Sequence, residues 1–191
     1  MERFIQKFKK GGLYGIGARS GMGKTQFCIS VTSLLASKGS KVLYMSNAMD
    51  EDEFFKRMKT DNLNICNKAN FEEVYKLTLE GLKMFVSEDD YGLVVLDPFN
   101  IYSLDFDVGD IKTFAKKKNI AILLTTGFAR PPFDDDRIHP DLSDIKFVDE
   151  KTHIKLIVFS ELILFLTQEP NTNNFNICFA KNMHGKIGET I

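Results

Sequence analysis

Ten residues constrain this chain more than any others: Ile16-Gly17-Ala18-Arg19-Ser20-Gly21-Met22-Gly23-Lys24-Thr25. They join a short apolar run, Leu13 to Ile16, to a segment whose apolar positions Phe27, Val31, Leu34 and Leu35 fall at helical spacing. A glycine-rich turn between a strand and a helix gathers backbone N–H groups and the positive end of the helix around one anion. In that setting Lys24 is expected to reach the β- and γ-phosphates of a nucleotide, and the Thr25 hydroxyl to ligate Mg²⁺. The residues lining the expected pocket are Ala18, Arg19, Ser20, Gly21, Met22, Gly23, Lys24, Thr25 and Gln26.

The strict pattern places glycine six residues before the lysine, where this chain has Ala18. Alanine fits there if it keeps a negative φ, with Gly21 and Gly23 supplying the freer positions deeper in the turn.

Along the rest of the chain, Lys38-Gly39-Ser40 ends the first helix, and Lys41 to Met45 reads as a strand. Asp50, with Glu53 three residues on, has the form of a capping box opening a helix through Phe54, Phe55 and Met58. The pattern predicts a helix over Phe71 to Phe85, then a strand over Tyr91 to Asp97 whose unbroken apolarity suits burial on both faces. A helix near Val108 to Lys118 and a strand over Ile120 to Thr125 follow. Strands alternating with helices imply an α/β fold with a mostly parallel central sheet. Residues 128–152 carry Pro131, Pro132, Pro140 and the run Asp134-Asp135-Asp136, and read as a long working or solvated loop. Beyond them, Ile154 to Phe159, Leu162 to Thr167 and Phe175 to Ala180 read as strands, the last two antiparallel about a turn at Pro170 to Asn174.

Size and charge set bounds. At 191 residues the chain is expected to be a single domain, residues 1–191, with ample core. A net charge of −1 gives no bulk attraction for nucleic acid, which leaves only a local patch to provide it. Cys28, Cys66 and Cys178 lack metal-ligand spacing and read as small hydrophobes of a reducing compartment. The segment Met1 to Lys10 is no signal peptide, and no apolar run approaches the roughly 20 residues of a membrane span, so a cytoplasmic location is expected.

Asp97, at the end of a buried strand, stands where a Walker B carboxylate holds Mg²⁺ through water, although a plain turn-capping aspartate before Pro98 has the same place. Taken with Gly17-Ala18-Arg19, Met22 to Thr25, Val42 to Ser46, Met49, Arg57 and the Leu93 to Asp97 strand, the pattern resembles the ATPase domain of the DnaB-like replicative DNA helicases. The resemblance resumes at Asn119 to Thr126 with Arg130, at Leu142-Ser143-Asp144, at Glu161 to Phe165, and at Lys181 and Gly185 to Gly188. It implies a RecA-like P-loop fold, ATP with Mg²⁺ as cofactors, hydrolase chemistry in DNA replication, and a ring-forming ancestry.

That resemblance also assigns roles that this chain keeps only in part. Lys24, Asp97 and Lys181 match catalytic positions, the last being one that reaches a neighbouring subunit's nucleotide. The family's catalytic glutamate corresponds to Ala48, its sensor glutamine to Gly127 and its arginine finger to Met183. A missing general base costs roughly 10²–10⁴-fold and a missing finger about 10³–10⁵-fold, so hydrolysis by this chain is expected to be weak. A degenerate ATP- or ADP-binding module working through a protein partner, or through self-association, is the alternative. No room is expected for the family's N-terminal collar domain or linker helix. The 128–152 loop takes the place of the family's single-stranded-DNA loops, yet its acids outnumber Arg130, Arg137, Lys146 and Lys151. Lys116-Lys117-Lys118 reads most simply as the exposed basic end of a helix.

Overall fold

The computed structural model describes residues 2–58, 68–74, 78–87, 90–99, 107–128, 140–145, 150–168 and 175–188. Cys66, residues 129–139 and 146–149, and the turn at 170–174 lie outside them. The elements in order are α1 (Glu2–Ile5), β1 (Leu13–Ala18), α2 (Lys24–Ser37), β2 (Val42–Ser46), α3 (Glu51–Met58), β3 (Ala69–Glu73) and α4 (Leu79–Ser87). Then follow β4 (Leu93–Asp97), α5 (Val108–Lys118), β5 (Ala121–Gly127), a 3₁₀ turn (Leu142–Asp144), α6 (Glu150–Phe159), β6 (Leu162–Gln168) and β7 (Phe175–Asn182).

The strands form one sheet in the order β3-β2-β4-β5-β1-β6-β7. Each pairing from β3 to β6 is parallel, and β6 with β7 is antiparallel. β1, β2 and β4 are buried at every residue, because helices cover both faces of a parallel sheet. On one face Phe27, Cys28 and Val31 of α2 and Phe54 of α3 pack with Tyr14, Ile16, Tyr44 and Val95. On the other, Leu82 of α4, Ile111 and Phe114 of α5 and Leu156 of α6 pack with Leu43, Val94, Ile122 and Leu124. The carboxyl ends of β1, β2, β4 and β5 therefore open together at one rim, where ligands of such sheets sit.

Two expectations are corrected. Residues 69–73 are strand, not the start of a helix: Ala69 and Phe71 are buried while Asn70 and Glu72 are less so, a period of two that pairs in register with Val42 to Ser46. Among the described residues the predicted helix begins at Leu79 and runs through Leu82 and Val86. The run Ile154 to Phe159, read as a strand, is instead the end of α6, a helix that begins at Glu150, inside the 128–152 segment read as loop, where Leu142–Asp144 also forms a 3₁₀ turn. Its β-branched content argues for a strand, but docking beside α5, through a Lys155–Asp107 ion pair and fully buried Leu156, overrides local preference.

Other local expectations hold. Asp50 opens α3 as expected, with Glu53 N–H donating to Asp50 Oδ1 at 2.8 Å, but the Glu53 carboxylate pairs with Arg57 in place of the return bond of a capping box. Lys38 caps α2, and Gly39 takes φ 85°, the left-handed conformation a helix stop needs. Among the described residues no helix is long and apolar enough to cross a membrane.

Candidate functional site

The turn between β1 and α2 has the expected conformation. Gly21 and Gly23 take φ 79° and 76°, the region that favours glycine, whereas Ala18 ends β1 with no positive φ. Substituting alanine for the strict motif's glycine is thus tolerated by the backbone. A Cβ built on Gly21 or Gly23 would meet nothing within 4 Å, so the volume over the turn is open. Gly23 caps α2 without a side chain, and the first N–H groups of a helix have no partner within it. Arg19, Ser20, Gly21 and Gln26 are exposed on this rim, with Met22, Lys24 and Thr25 half-buried.

Lys24 folds back into the turn, where Nζ donates to the carbonyls of Ala18 and Arg19, each at 3.1 Å. Burial pulls its pKa below the ordinary lysine value, and the negative charge of Asp97 pulls the other way. That interaction puts the strand-tip carboxylate within electrostatic reach of the P-loop lysine. Asp97 is 2% exposed, with Oδ1 accepting from Thr125 Oγ1 at 2.6 Å and Oδ2 from Tyr44 Oη at 2.5 Å. Tyr44 and Thr125 are partners of Asp97 that the sequence alone did not single out. The register of β2, β4 and β5 carries their signal: Ser46 faces Asp97, and Leu96 faces Leu124, so Thr125 and Tyr44 arrive from the two flanking strands.

An open cradle, a retractable ammonium and a hydroxyl-held carboxylate fit a magnesium nucleotide. Thr25 and Asp97 are the residues that would hold the metal, which supplies charge neutralisation at the phosphates. Lys24 would exchange its two carbonyl partners for phosphate oxygens.

The positions around the reacting end are bare. Ala48 is exposed two residues after Ser46, whose Oγ accepts the Ala48 N–H at 3.1 Å. Gly127 closes β5 with nothing within 4 Å of a Cβ built on it. Lys181 does not join Lys24 and Asp97 within its own chain. It lies on β7, where Leu162 faces Asn182 at the opposite end of the sheet, and Nζ donates to the carbonyls of Ile157 and Val158 at the end of α6. Burial lowers its pKa. Met183 is 60% exposed beside it.

Fold and site together define a RecA-like P-loop NTPase domain. Residues 1–87 match the family model of the DnaB-like helicase C terminal domain. Over 88 residues the chain is 31% identical to the DNA repair protein RadA of Campylobacter jejuni, a match covering 46% of this chain and 19% of that protein. In fold, the chain resembles a DnaB-like replicative helicase, solved in a study of its interactions with primase, with a TM-score of 0.78 at 16% identity, covering 96% of this chain and 55% of that one. It also resembles a second, separately solved ATPase domain (0.76 at 17%, covering 96% and 81%). The flagellar accessory protein FlaH of Methanocaldococcus jannaschii is similar as well (0.71 at 15%, covering 99% and 88%). Similarity of sequence to the DnaB-like helicase C terminal domain thus covers the first 87 residues, and similarity of fold to RecA-like helicase domains covers nearly the whole length. The chain spans about a fifth of the curated relative it matches and about half of the replicative helicase.

Proposed function

We propose that this chain binds Mg·ATP and Mg·ADP at the β1–α2 turn as a helicase-class ATPase domain of the DNA replication and unwinding type, with slow hydrolysis of its own. The observation that supports this best is Lys24 held inside an open glycine turn within electrostatic reach of Asp97. In this reading Ala18 to Gln26 wrap the phosphates, Thr25 and Asp97 hold the metal, and Lys181 serves a neighbouring subunit from a distant edge. Catalysis is poor because Ala48 offers no carboxylate to orient water and Gly127 no group to sense the γ-phosphate. Met183 adds no cation across a subunit boundary. The reading places the protein in the cytoplasm, and its expected partners are further copies or a helicase-like protein. Single-stranded DNA at residues 128–152 is the weakest of the family's partners here, given the acidic surplus.

A second reading is favoured by the same bare positions: a nucleotide-binding accessory module whose state, ATP or ADP, governs a protein contact. Calorimetric titration with Mg·ATP beside steady-state turnover separates the two: slow turnover that Lys24→Ala abolishes belongs to the first reading, and binding with no turnover to the second. Tight binding that Lys24→Ala weakens at least tenfold is expected, with turnover far below that of competent relatives. Turnover at their level, abolished in Lys24→Ala, would rule out the degenerate site, and no binding at all would end both readings.

A further inference from the structure

The end of the sheet opposite the nucleotide turn carries a built cluster of lysines. Three, Lys116, Lys117 and Lys118, form the last turn of α5, and all are exposed. Two more, exposed Lys9 and Lys10, precede β1 and are locked alongside. Gly11, at φ 77°, lies so close to α5 that a Cβ there would stand 3.5 Å from Lys116 Cα. Its N–H donates to Ile120 O at 2.9 Å, and its carbonyl accepts from Lys112 Nζ at 3.0 Å. Lys112 is itself buried and paired with Glu161 at 2.8 Å. Fully buried Tyr14 fixes the other side, its Oη accepting from Lys9 N–H at 2.6 Å and donating toward the Lys7 and Lys9 carbonyls at 3.2 Å.

Helix capping does not account for this arrangement. The end of α5 is closed by its own backbone, with Asn119 N–H donating to Lys116 O at 3.2 Å and Ile120 N–H to Ala115 O at 3.1 Å. Charge at the helix end is worth about 0.3–1 kcal/mol per lysine at best, and it gives no reason to bring Lys9 and Lys10 next to the other three. Among the described residues the facing carboxylates are Asp90, 4.0 Å from Lys10 and almost fully exposed, and Glu161, already held by Lys112 and His184. The cluster is a strongly positive surface on a chain of net charge −1.

We propose that this surface binds the phosphodiester backbone of duplex nucleic acid, independently of the nucleotide turn. Ammonium groups on long stems are point charges suited to phosphates rather than to base edges. Of the aromatic rings at this end, Tyr14 and Tyr91 are 1% and 3% exposed and half-buried Phe8 is packed edge-on against Phe4 and Tyr14, so among the described residues none presents an open face on which unpaired bases could stack. An anionic membrane fits less well: exposed Met183 and Ile187 lie beyond β7, two strands past β1, and the apolar side chain next to the lysines, Phe8, is half-buried with its ring against Phe4 and Tyr14. With β1 between them, the two ends are about 20 Å apart, far enough for nucleic acid and nucleotide to bind together.

The test is fluorescence anisotropy of the whole chain with a labelled duplex of roughly 20 base pairs and mixed sequence, without nucleotide, across about 50–200 mM salt. Wild type is expected to bind with a log–log salt slope of about −3 to −5, close to −0.9 per phosphate neutralised. The triple variant Lys116→Gln, Lys117→Gln, Lys118→Gln should bind at least tenfold more weakly with a slope flatter by about 2–3, and the three Lys→Arg changes should keep binding. Lys9→Gln with Lys10→Gln should give a smaller loss in the same direction. All five side chains are exposed, and matched thermal melting confirms each fold. Unchanged affinity in the glutamine variants would overturn the proposal, as would loss of binding on Arg130→Gln with Arg137→Gln. Tighter binding to phosphatidylserine vesicles than to duplex, through the same lysines, would assign the surface to a membrane instead and also overturn it.

Discussion

Tyr44 Oη donates to Asp97 Oδ2 at 2.5 Å inside the sheet, tying the middle of β2 to the carboxylate at the tip of β4. Burial first, with the negative charge of the neighbouring Asp97 behind it, pushes the phenol far above its ordinary pKa, so it stays a donor at any physiological pH. Tyr44→Phe keeps the ring against Phe54 and Phe71 and removes only the hydroxyl. A hydrogen bond to a charged acceptor is worth about 1.5–3 kcal/mol, so melting should fall by roughly 4–8 °C. With one of its two orienting hydroxyls gone, Asp97 should also hold the metal less firmly, and the Mg²⁺ concentration needed for half-maximal nucleotide binding should rise several-fold. An unchanged melting point together with an unchanged magnesium requirement would show that the hydroxyl contributes nothing.

Ala48 is exposed on the rim beyond β2, and its N–H is already tied to Ser46 Oγ, so a longer side chain there can reach solvent without disturbing the core. A carboxylate at this position is the group whose absence best explains slow turnover in the proposed function. Ala48→Glu should raise steady-state ATP turnover by about tenfold or more, short of the roughly 10²–10⁴-fold a well-placed general base gives, because Gly127 and Met183 still lack their groups. Nucleotide affinity should stay within about twofold. A variant that binds ATP normally and turns it over no faster would show that the deficit lies elsewhere.

The P-loop was legible because its chemistry is local: ten consecutive residues fix the turn, and Gly21 and Gly23 adopt the φ values their spacing implies. The buried strands β4 and β5 were legible for the same reason, as unbroken apolar runs. What failed was whatever depends on a neighbour. Phe71 reads as helix until it is known to sit at the sheet edge beside Tyr44, and the Ile154 to Phe159 run reads as strand until α5 supplies a surface for Leu156. Asp97 was found by its place at a strand end. Its partners Tyr44 and Thr125 lie 53 and 28 residues away and announce themselves only through strand register. The lysine cluster has the same character, since the segment that carries Lys9 and Lys10 meets the end of α5 through Gly11, against Lys116.

Gly17 lies one residue before the end of β1, in the row that feeds the nucleotide turn. A Cβ there would fall 2.6 Å from Phe128 Cε1 and 3.1 Å from Phe165 Cδ1, two rings packed edge to face at 4.7 Å. Phe165 is buried on β6, so Phe128 must yield, and it stands just past the end of β5, bridged to Ile145. Gly17→Ala should therefore cost about 1–3 kcal/mol in chemical denaturation and weaken nucleotide binding along with it. The paired change Gly17→Ala with Phe128→Leu should recover part of both losses. Stability equal to wild type in the single variant would show that the rings move aside freely.

Glu161 joins α6 to β6 and holds two elements at once, Lys112 of α5 at 2.8 Å and His184 beyond β7 at 3.3 Å. Burial acts to raise its pKa, but the hydrogen bonds from Lys112 and His184 outweigh it and keep the carboxyl below its ordinary value of 4.5. A depressed folded-state value means that the unfolded chain takes up the proton first as acid is added. The stabilisation is thus complete above about pH 4.5 and is lost as pH falls through the lower folded value. Glu161→Gln keeps an amide oxygen for Lys112 but removes the charge that balances its ammonium, whose side chain is 11% exposed, and should cost about 2–3 kcal/mol at pH 7. Urea denaturation repeated from pH 7 down to about pH 3 should show the gap between wild type and variant closing on the acid side. A gap that is the same at every pH would mean that Glu161 acts through its shape rather than its charge.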